Sequence, residues 1–156
     1  MEKLPPEEYY TSLPKKRMAA GVLFFNDKEE LLLVKTNYKE AWSIPGGVVD
    51  EDESPRAAAM REVREEIGLE VAGLSLLCVD YTVPQGIKTE SLQFVFSGGV
   101  LTEEQISRIR LQDGELETYR FMSADQAILM LNPGVKERLP DCLKALREGS
   151  ACYLES

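Results

Sequence analysis

The hydrophobic positions near the start of the chain form short continuous runs rather than a helical pattern. Residues 18–25 and 31–34 are almost entirely apolar, and the polar stretch 26–29 between them has the composition of a turn. Short apolar runs bounded by turn residues are typical of buried strands. We therefore expect an antiparallel hairpin over residues 18–35, preceded by an irregular arm at residues 1–16, which are rich in proline and charge.

A second group of apolar runs lies in the middle of the chain. Residues 71–83 are rich in β-forming residues, and large apolar side chains recur at every second position over residues 92–96. Alternation with a period of two indicates a strand, so we expect these two strands to pair around the loop between them. Residues 114–122 predict a later strand.

Helical signals are clearest between Ser54 and Gly68. The Ser54 hydroxyl can cap free backbone amides, and Pro55 suits the first helical position. Gly68 can adopt the left-handed conformation that ends a helix. An apolar stripe at helical spacing runs between them, formed by Ala59, Met60, Val63 and Ile67. Two further helices are expected near residues 123–131 and 135–147.

The order of strands and helices predicts one mixed α/β domain over residues 1–156, with its sheet between helices. A length of 156 residues, 44% hydrophobic and 29% charged, is ordinary for a globular domain. No apolar run approaches the roughly 20 residues that span a bilayer. The first residues lack the layout of a signal peptide. Three scattered cysteines do not form a disulfide framework, so we expect a cytoplasmic protein that binds no membrane.

Charge and composition narrow the chemistry. The net charge of −9 disfavours binding to long nucleic acids, which requires a basic surface. The chain contains no histidine, which excludes imidazole zinc sites and Ser-His-Asp catalysis. An acidic protein that handles a small phosphate compound must recruit cations to do so.

The predicted central helix carries acidic residues that can bind such cations. Glu62, Glu65 and Glu66 are three and four positions apart, so they share one helix face. Three neighbouring carboxylates repel one another unless some are protonated or a cation joins them. Oxygen ligands favour a hard cation, either Mg²⁺ or Mn²⁺. The alternative is a solvated face neutralised by Arg61 and Arg64 within the helix.

The wider pattern resembles the Nudix box, the signature of the Nudix hydrolase superfamily. It reads Gly47, five residues, Glu53, seven residues, then Arg61-Glu62-Val63-x-Glu65-Glu66-x-Gly68-Leu69. The resemblance implies the Nudix fold, an α/β/α sandwich with a mixed central sheet. It also implies that Glu62 and Glu66 are the main metal ligands, with Glu65 as a ligand or supporting acceptor. Glu53 completes the acidic cluster, and Arg61 orients a carboxylate and offsets charge.

Two neighbouring segments extend the resemblance. Trp42-Ser43-Ile44-Pro45-Gly46-Gly47 is similar to the loop that enters the box in Nudix proteins, where a backbone carbonyl joins the metal shell. The matching residue is Gly46. Family members also draw a further metal-binding or base carboxylate from a late strand. Glu115 is the better match and Glu117 the second choice, and an unrelated exposed acid is the alternative.

The resemblance implies Mg²⁺-dependent hydrolysis of a pyrophosphate bond in a nucleoside diphosphate linked to another group. Candidate substrates are a nucleotide sugar such as ADP-ribose, a (d)NTP including oxidised forms, and a dinucleoside polyphosphate. Arg17, Tyr81 and Gln93 are candidate contacts to base or sugar. The alternative is a catalytically silent nucleotide sensor or interaction module, although such modules usually lose box glutamates and this chain keeps them. A homodimer is compatible with the sequence, which does not test it.

Overall fold

The computed structural model describes residues 3–156, and within them the chain forms eight strands and five helices. The strands are β1 (Arg17–Phe25), β2 (Leu31–Thr36), β3 (Trp42–Ser43), β4 (Gly46–Val48), β5 (Ser75–Thr82), β6 (Ser91–Val100), β7 (Leu116–Met122) and β8 (Cys152–Glu155). The helices are α1 (Pro6–Ser12), α2 (Pro55–Ile67), α3 (Glu103–Ser107), α4 (Ala124–Met130) and α5 (Pro133–Glu148).

All eight strands belong to one mixed sheet. Its main path is β3-β2-β1-β6-β5-β8, with β4 also paired to β1 and β7 also paired to β2. The pairs β1–β6 and β5–β8 are parallel, whereas the other pairs are antiparallel. The predicted mixed α/β fold is therefore confirmed, as is the pairing of the two middle strands, β5 and β6.

The predicted hairpin forms, but its two strands separate soon after the turn. Phe25 of β1 pairs with Leu31 of β2. Farther from the turn, β1 pairs with β4 at Ala19, Ala20 and Gly21, while β2 pairs with β7 and β3. The short strand β4 thus takes the place beside β1 that a regular hairpin would give to β2. This divergence opens the sheet where the glycine-rich loop enters.

The N-terminal arm was expected to be irregular, but part of it forms a short helix. Residues Pro6–Ser12 form α1, with proline at the start and Glu7 and Glu8 in the first turn, where acids complement the helix dipole. None of its residues is buried, so no apolar stripe marked it in the sequence. Residues 1–2 of the predicted arm lie outside the described part of the chain.

The core is divided between the two faces of the sheet. On one face the predicted stripe of α2 is confirmed, because Ala59, Val63 and Ile67 pack with Phe24 in one hydrophobic cluster. On the other face the buried residues of α5 pack on β5 and β6 in a second cluster that contains Leu139, Cys142, Ala145, Leu77, Cys78 and Val95. The cleft described below draws side chains from elements on both faces.

The cysteines and helices add two simpler observations. Cys78, Cys142 and Cys152 are free thiols, and the first two are buried. Among the helices formed by residues 3–156, none combines the length and the apolar character needed to cross a bilayer.

Candidate active site

Local signals in the sequence place α2 at the centre of the site. The Ser54 hydroxyl accepts a hydrogen bond from the backbone N–H of Ala57 at 3.1 Å, and Pro55 is the first helical residue. Gly68 ends the helix in the left-handed region with φ of 72°. Because both ends are fixed, the buried stripe sets the rotation of the helix and the acidic face turns toward β4 and β1.

Arg61 donates hydrogen bonds to three of the box carboxylates. Its Nε and Nη2 donate to the two oxygens of Glu53 at 2.8 and 2.9 Å. Its Nη1 donates to Glu62 Oε1 at 2.9 Å and to Glu65 Oε2 at 3.2 Å. Nη2 also donates to the carbonyl of Val48 at 3.0 Å. Arg61 therefore ties the helix to the loop before it, and the carboxylates hold the pKa of its guanidinium well above the ordinary value.

Glu53 is the most strongly stabilised anion of the cluster. In addition to Arg61, it accepts a hydrogen bond from the backbone N–H of Asp50 at 3.1 Å. The hydrogen bonds from Arg61 are the main reason that its pKa falls to about 2, and the Asp50 N–H adds to the effect. Glu53 thus stays charged over the physiological range and supports the loop that precedes α2.

Glu66 has the opposite environment. Its half-buried carboxylate accepts one hydrogen bond, from the Gly46 N–H at 3.3 Å, and none of residues 3–156 offers it an ion pair. The pKa of Glu66 is raised to about 8, mainly by burial; the neighbouring charges of Glu62 and Glu115 add to the rise, and the Gly46 N–H opposes it. A cation bound beside Glu66 would therefore strongly stabilise the charged form of its carboxylate.

Two glycines let the loop approach the helix and the sheet. A Cβ on Gly46 would overlap the backbone of Ala20 and Gly21 in β1. A Cβ on Gly47 would overlap the carboxylate of Glu62. The first glycine therefore permits close strand packing, and the second leaves room for an acidic side chain at the cleft.

The acidic face borders a cleft of about 800 Å³. Six of the residues predicted for the site line it: Arg17, Gly46, Glu62, Glu66, Gln93 and Glu115. The remaining predicted residues lie elsewhere. Glu53 and Arg61 form the network behind Glu62, and Glu65 is about half exposed at the edge of that network. The hydroxyl of Tyr81 donates to Glu90 outside the cleft.

The structure separates the two late acids that the sequence left as alternatives. Glu115 precedes β7 and lines the cleft near Glu66, whose pKa it raises. Glu117 is on the strand and forms an ion pair with Lys35 at 2.8 Å. Residues two apart on one strand face the same side, so alternation alone could not separate these two acids. What separates them is that Glu115 lies just before the strand, which begins at Leu116.

The donor set suits a hard divalent cation. The acids that face the cleft are Glu62, Glu66 and Glu115, all oxygen donors. As the side chains stand, no three acids or cysteines within residues 3–156 are grouped closely enough to hold a metal ion. Three of the box carboxylates, those of Glu53, Glu62 and Glu65, are paired with Arg61 instead. Glu66, half-buried and without a cationic partner in that same range, is the residue that such an ion would fit.

The cleft also contains residues that the sequence reasoning missed. Arg138 of α5 lines it and is paired with Asp80, which is fully buried. A single acid within the apolar run 71–83 was the available signal, because buried acids are almost always paired. Nothing in the sequence identified the partner on a helix far along the chain.

Comparisons with known proteins agree with this geometry. The sequence pattern that defines the NUDIX domain matches residues 15–142. A protein of Bacillus subtilis named as a putative 8-oxo-dGTP diphosphatase is 31% identical over 123 residues, covering 78% of this chain and 76% of that protein.

Nudix hydrolase 10 of Arabidopsis thaliana is 33% identical over 125 residues, which cover 78% of this chain but 44% of that protein. The crystal structure of a MutT protein from Methanosarcina mazei matches with a TM-score of 0.66 and 25% identity, covering 88% of this chain and 99% of that one.

Proposed function

The chain belongs to the Nudix hydrolase family, and from that premise we propose that it hydrolyses a pyrophosphate bond in a nucleoside diphosphate linked to another group, with Mg²⁺ or Mn²⁺ as its cofactor. One observation carries the proposal. Glu66 is held in the cleft beside Glu62 and Glu115, with its pKa raised to about 8, mainly by burial, and without a cationic partner among residues 3–156.

The cation would be held by the carboxylates of Glu62, Glu66 and Glu115 and by the backbone carbonyl of Gly46. When bound, it neutralises phosphate charge and makes water a better nucleophile. Glu65 and Glu53 belong to the same acidic cluster in the proposal, although Glu65 lies at the exposed edge and Glu53 on Arg61. Their role is to complete the negative field around the site.

The protein's own groups position the reacting parts. Arg61 fixes one oxygen of Glu62 at 2.9 Å from its Nη1. The Gly46 N–H fixes one oxygen of Glu66. The proton of the attacking water passes to a carboxylate of the cleft, and Glu115 and the box glutamates are the candidates. Basic residues on the cleft wall, Arg17, Lys39 and Lys88, are suited to the phosphates.

The proposed substrate is a class of compounds, the nucleoside diphosphate derivatives. The name of the Bacillus subtilis relative supports a nucleoside triphosphate, including its oxidised form, and a nucleotide sugar such as ADP-ribose remains a candidate. The cleft volume of about 800 Å³ is within the range of sites that enclose a small ligand.

A panel of nucleotides tests the reaction. dGTP, 8-oxo-dGTP, ADP-ribose and diadenosine tetraphosphate would each be incubated with the protein and Mg²⁺, and the products separated by chromatography. We expect turnover of at least one compound, its loss in EDTA and its return with added Mg²⁺. Turnover that persists in EDTA would contradict the cofactor, and tight binding without any turnover would favour a sensor.

Metal binding can be measured without turnover. The electron paramagnetic resonance signal of free Mn²⁺ reports how much ion the protein takes up. We expect uptake by the unaltered protein and by Glu70→Gln, which changes an exposed glutamate beyond the end of α2. Glu66→Gln is expected to lose most of that uptake, because the ion then lacks a charged ligand. Equal uptake by Glu66→Gln would remove the metal assignment.

A further inference from the structure

The cleft has a second polar wall, formed by α5, β5 and β6 rather than by α2. Asp80 of β5 is fully buried, and the side chain of Arg138 on α5 is only 11% exposed. Arg138 Nε donates to Asp80 Oδ2 at 2.6 Å, and the hydroxyl of Ser156 lies 2.8 Å from each oxygen of Asp80. The carboxylate is therefore fully engaged and the guanidinium is fixed in orientation.

The outer half of that guanidinium points to the cleft and has no partner within the described part of the chain. Nη1 and Nη2 of Arg138 make no hydrogen bond to any part of residues 3–156. Both lie close to Gly134 in the first turn of α5, and Gly134 and Arg138 line the cleft. These N–H groups are reached from the cleft, so water or a ligand there can accept hydrogen bonds from them.

Three neighbours on the sheet extend this polar surface. Thr82 follows Asp80 by two residues on β5, so it faces the same side. Gln93 and Ser91 are on the neighbouring strand β6, directly opposite Asp80 and Thr82 respectively. All three line the cleft, and the Thr82 hydroxyl is buried without a hydrogen-bond partner in the described chain. Thr82, Ser91, Gln93 and Arg138 are called the α5 wall below.

The charge of the α5 wall decides what it can bind. Asp80 offsets Arg138, so the wall is nearly neutral although it is rich in donors. A phosphate is best held by uncompensated positive charge, and Arg17, Lys39 and Lys88 provide that elsewhere in the cleft. A neutral group with adjacent acceptors suits the planar fork of a fixed guanidinium, as the oxygen and ring nitrogen of guanine do.

We infer that the α5 wall binds the base of the nucleotide substrate through its acceptor edge, so that the enzyme prefers bases with a 6-oxo group over adenine. Adenine presents an amino donor where guanine and hypoxanthine present a carbonyl, and a donor facing the Arg138 fork would leave both groups unpaired. The inference rests on the proposed function, since it requires that the cleft holds a nucleotide.

Binding of compounds that cannot be hydrolysed tests the inference apart from catalysis. Calorimetric titration with the α,β-methylene analogues of GTP, ITP and ATP in Mg²⁺ would give three dissociation constants. We expect the guanosine and inosine analogues to bind roughly tenfold or more tightly than the adenosine analogue, the effect of one bidentate pair. The inosine analogue shows that the oxygen, rather than the 2-amino group of guanine, is recognised. Equal affinity for all three, or binding of none, would overturn the inference.

Two variants locate the preference. Arg138→Lys keeps a positive charge beside Asp80 but removes the fork, and is expected to weaken guanosine binding about tenfold while adenosine binding stays the same. Thr82→Val removes only the unpaired hydroxyl and keeps the shape of the side chain. It should fold even if Arg138→Lys does not, and is expected to reduce the preference less than Arg138→Lys does, because the hydroxyl lies beneath the surface of the cleft. Arg108→Lys, on the exposed surface, is the control.

The outcomes separate the two proposals. Hydrolysis of nucleotides with no preference in binding would overturn the role of the α5 wall and leave the proposed function standing. A clear 6-oxo preference in binding, without hydrolysis of any matching nucleotide, would support the wall and contradict the proposed function. A preference that survives in both Arg138→Lys and Thr82→Val would place base recognition elsewhere in the cleft.

Discussion

Glu53 and Glu66 belong to one acidic motif, yet the structure treats them in opposite ways. Glu53 receives two hydrogen bonds from Arg61 and one from a backbone N–H, and its pKa falls to about 2. Glu66 receives one backbone hydrogen bond, lies beside two other acids, and its pKa rises to about 8. The first acid is paired with a cation of the protein, whereas the second has no cationic partner among residues 3–156.

Glu62 connects the two halves of the cluster. One of its oxygens accepts from Arg61 at 2.9 Å, and the residue also lines the cleft near Glu66. The comparison indicates that an acidic cluster of this kind is a structural half and a functional half joined by a shared carboxylate. Substitutions in the two halves should therefore differ in whether they lower stability or activity.

Glu66→Gln is expected to have the largest effect on activity. Loss of the charged ligand should lower kcat by about 10³-fold, comparable to removing a key electrostatic group from an active site. Without metal, the melting temperature should stay the same or rise, because the amide does not have to be ionised in a half-buried position. Steady-state kinetics and thermal melts measure both, with Glu70→Gln as the matched control. A near-normal kcat would contradict the functional role of Glu66.

Arg61→Ala is expected to lower both stability and activity. Glu53 and Glu62 would lose their shared cation, and the loop before α2 would lose its tie to the helix, so the melting temperature should fall by about 3–10 °C. Misplacement of Glu62 should lower kcat/KM by about 10–100-fold. Arg64→Ala removes an exposed arginine 3.9 Å from Glu70 and should shift the melting temperature by less than about 2 °C. Equal shifts in the two variants would refute the structural role of Arg61.

Gly47→Ala tests the space that the shared carboxylate needs. The added methyl group would overlap Glu62, so the side chain must move away from Arg61 or from the cleft. We expect kcat to fall by about tenfold, with a smaller loss of stability than in Arg61→Ala. Gly73→Ala is a comparison for stability alone, since its Cβ meets no neighbouring atom, although its φ of 70° adds some backbone strain. A fully active Gly47→Ala would show that Glu62 has freedom to move.

The pH dependence of stability should show the two acids with opposite signs and the smallest effects. Glu66 binds its proton more tightly in the folded state than when unfolded, so metal-free stability should fall as pH rises from about 4.5 to about 8. Glu53 binds its proton less tightly when folded, so its contribution should be lost as pH falls from about 4.5 to about 2.

Melts in EDTA across these ranges would measure both effects. Glu66→Gln is expected to flatten the upper range and leave the lower one, whereas Glu53→Gln is expected to do the reverse. An unchanged upper slope in Glu66→Gln would assign that slope to another group.

The sequence predicted what is local and missed what is long-range. The ends of α2 were predictable because Ser54, Pro55 and Gly68 act through neighbouring backbone. The division of the acids was not, because Arg61 could equally have paired within the helix alone, and its contact with Glu53 depends on the loop between them.

The predicted contacts to base or sugar show the same limit. Arg17 and Gln93 line the cleft but Tyr81 does not, since its neighbour Asp80 takes the inward side of β5. Choosing between them required the face of the strand, which the apolar run did not reveal. The pairing of Asp80 with Arg138 required the docking of α5, a contact that no local pattern encodes.

The two walls of the cleft pack on different hydrophobic clusters of the sheet. α2 and its acids rest on one cluster, while α5 and Arg138 rest on the other. Specificity could therefore drift during evolution without disturbing the hydrolytic machinery. A directed-evolution library confined to positions 82, 91, 93 and 138 would exploit that independence.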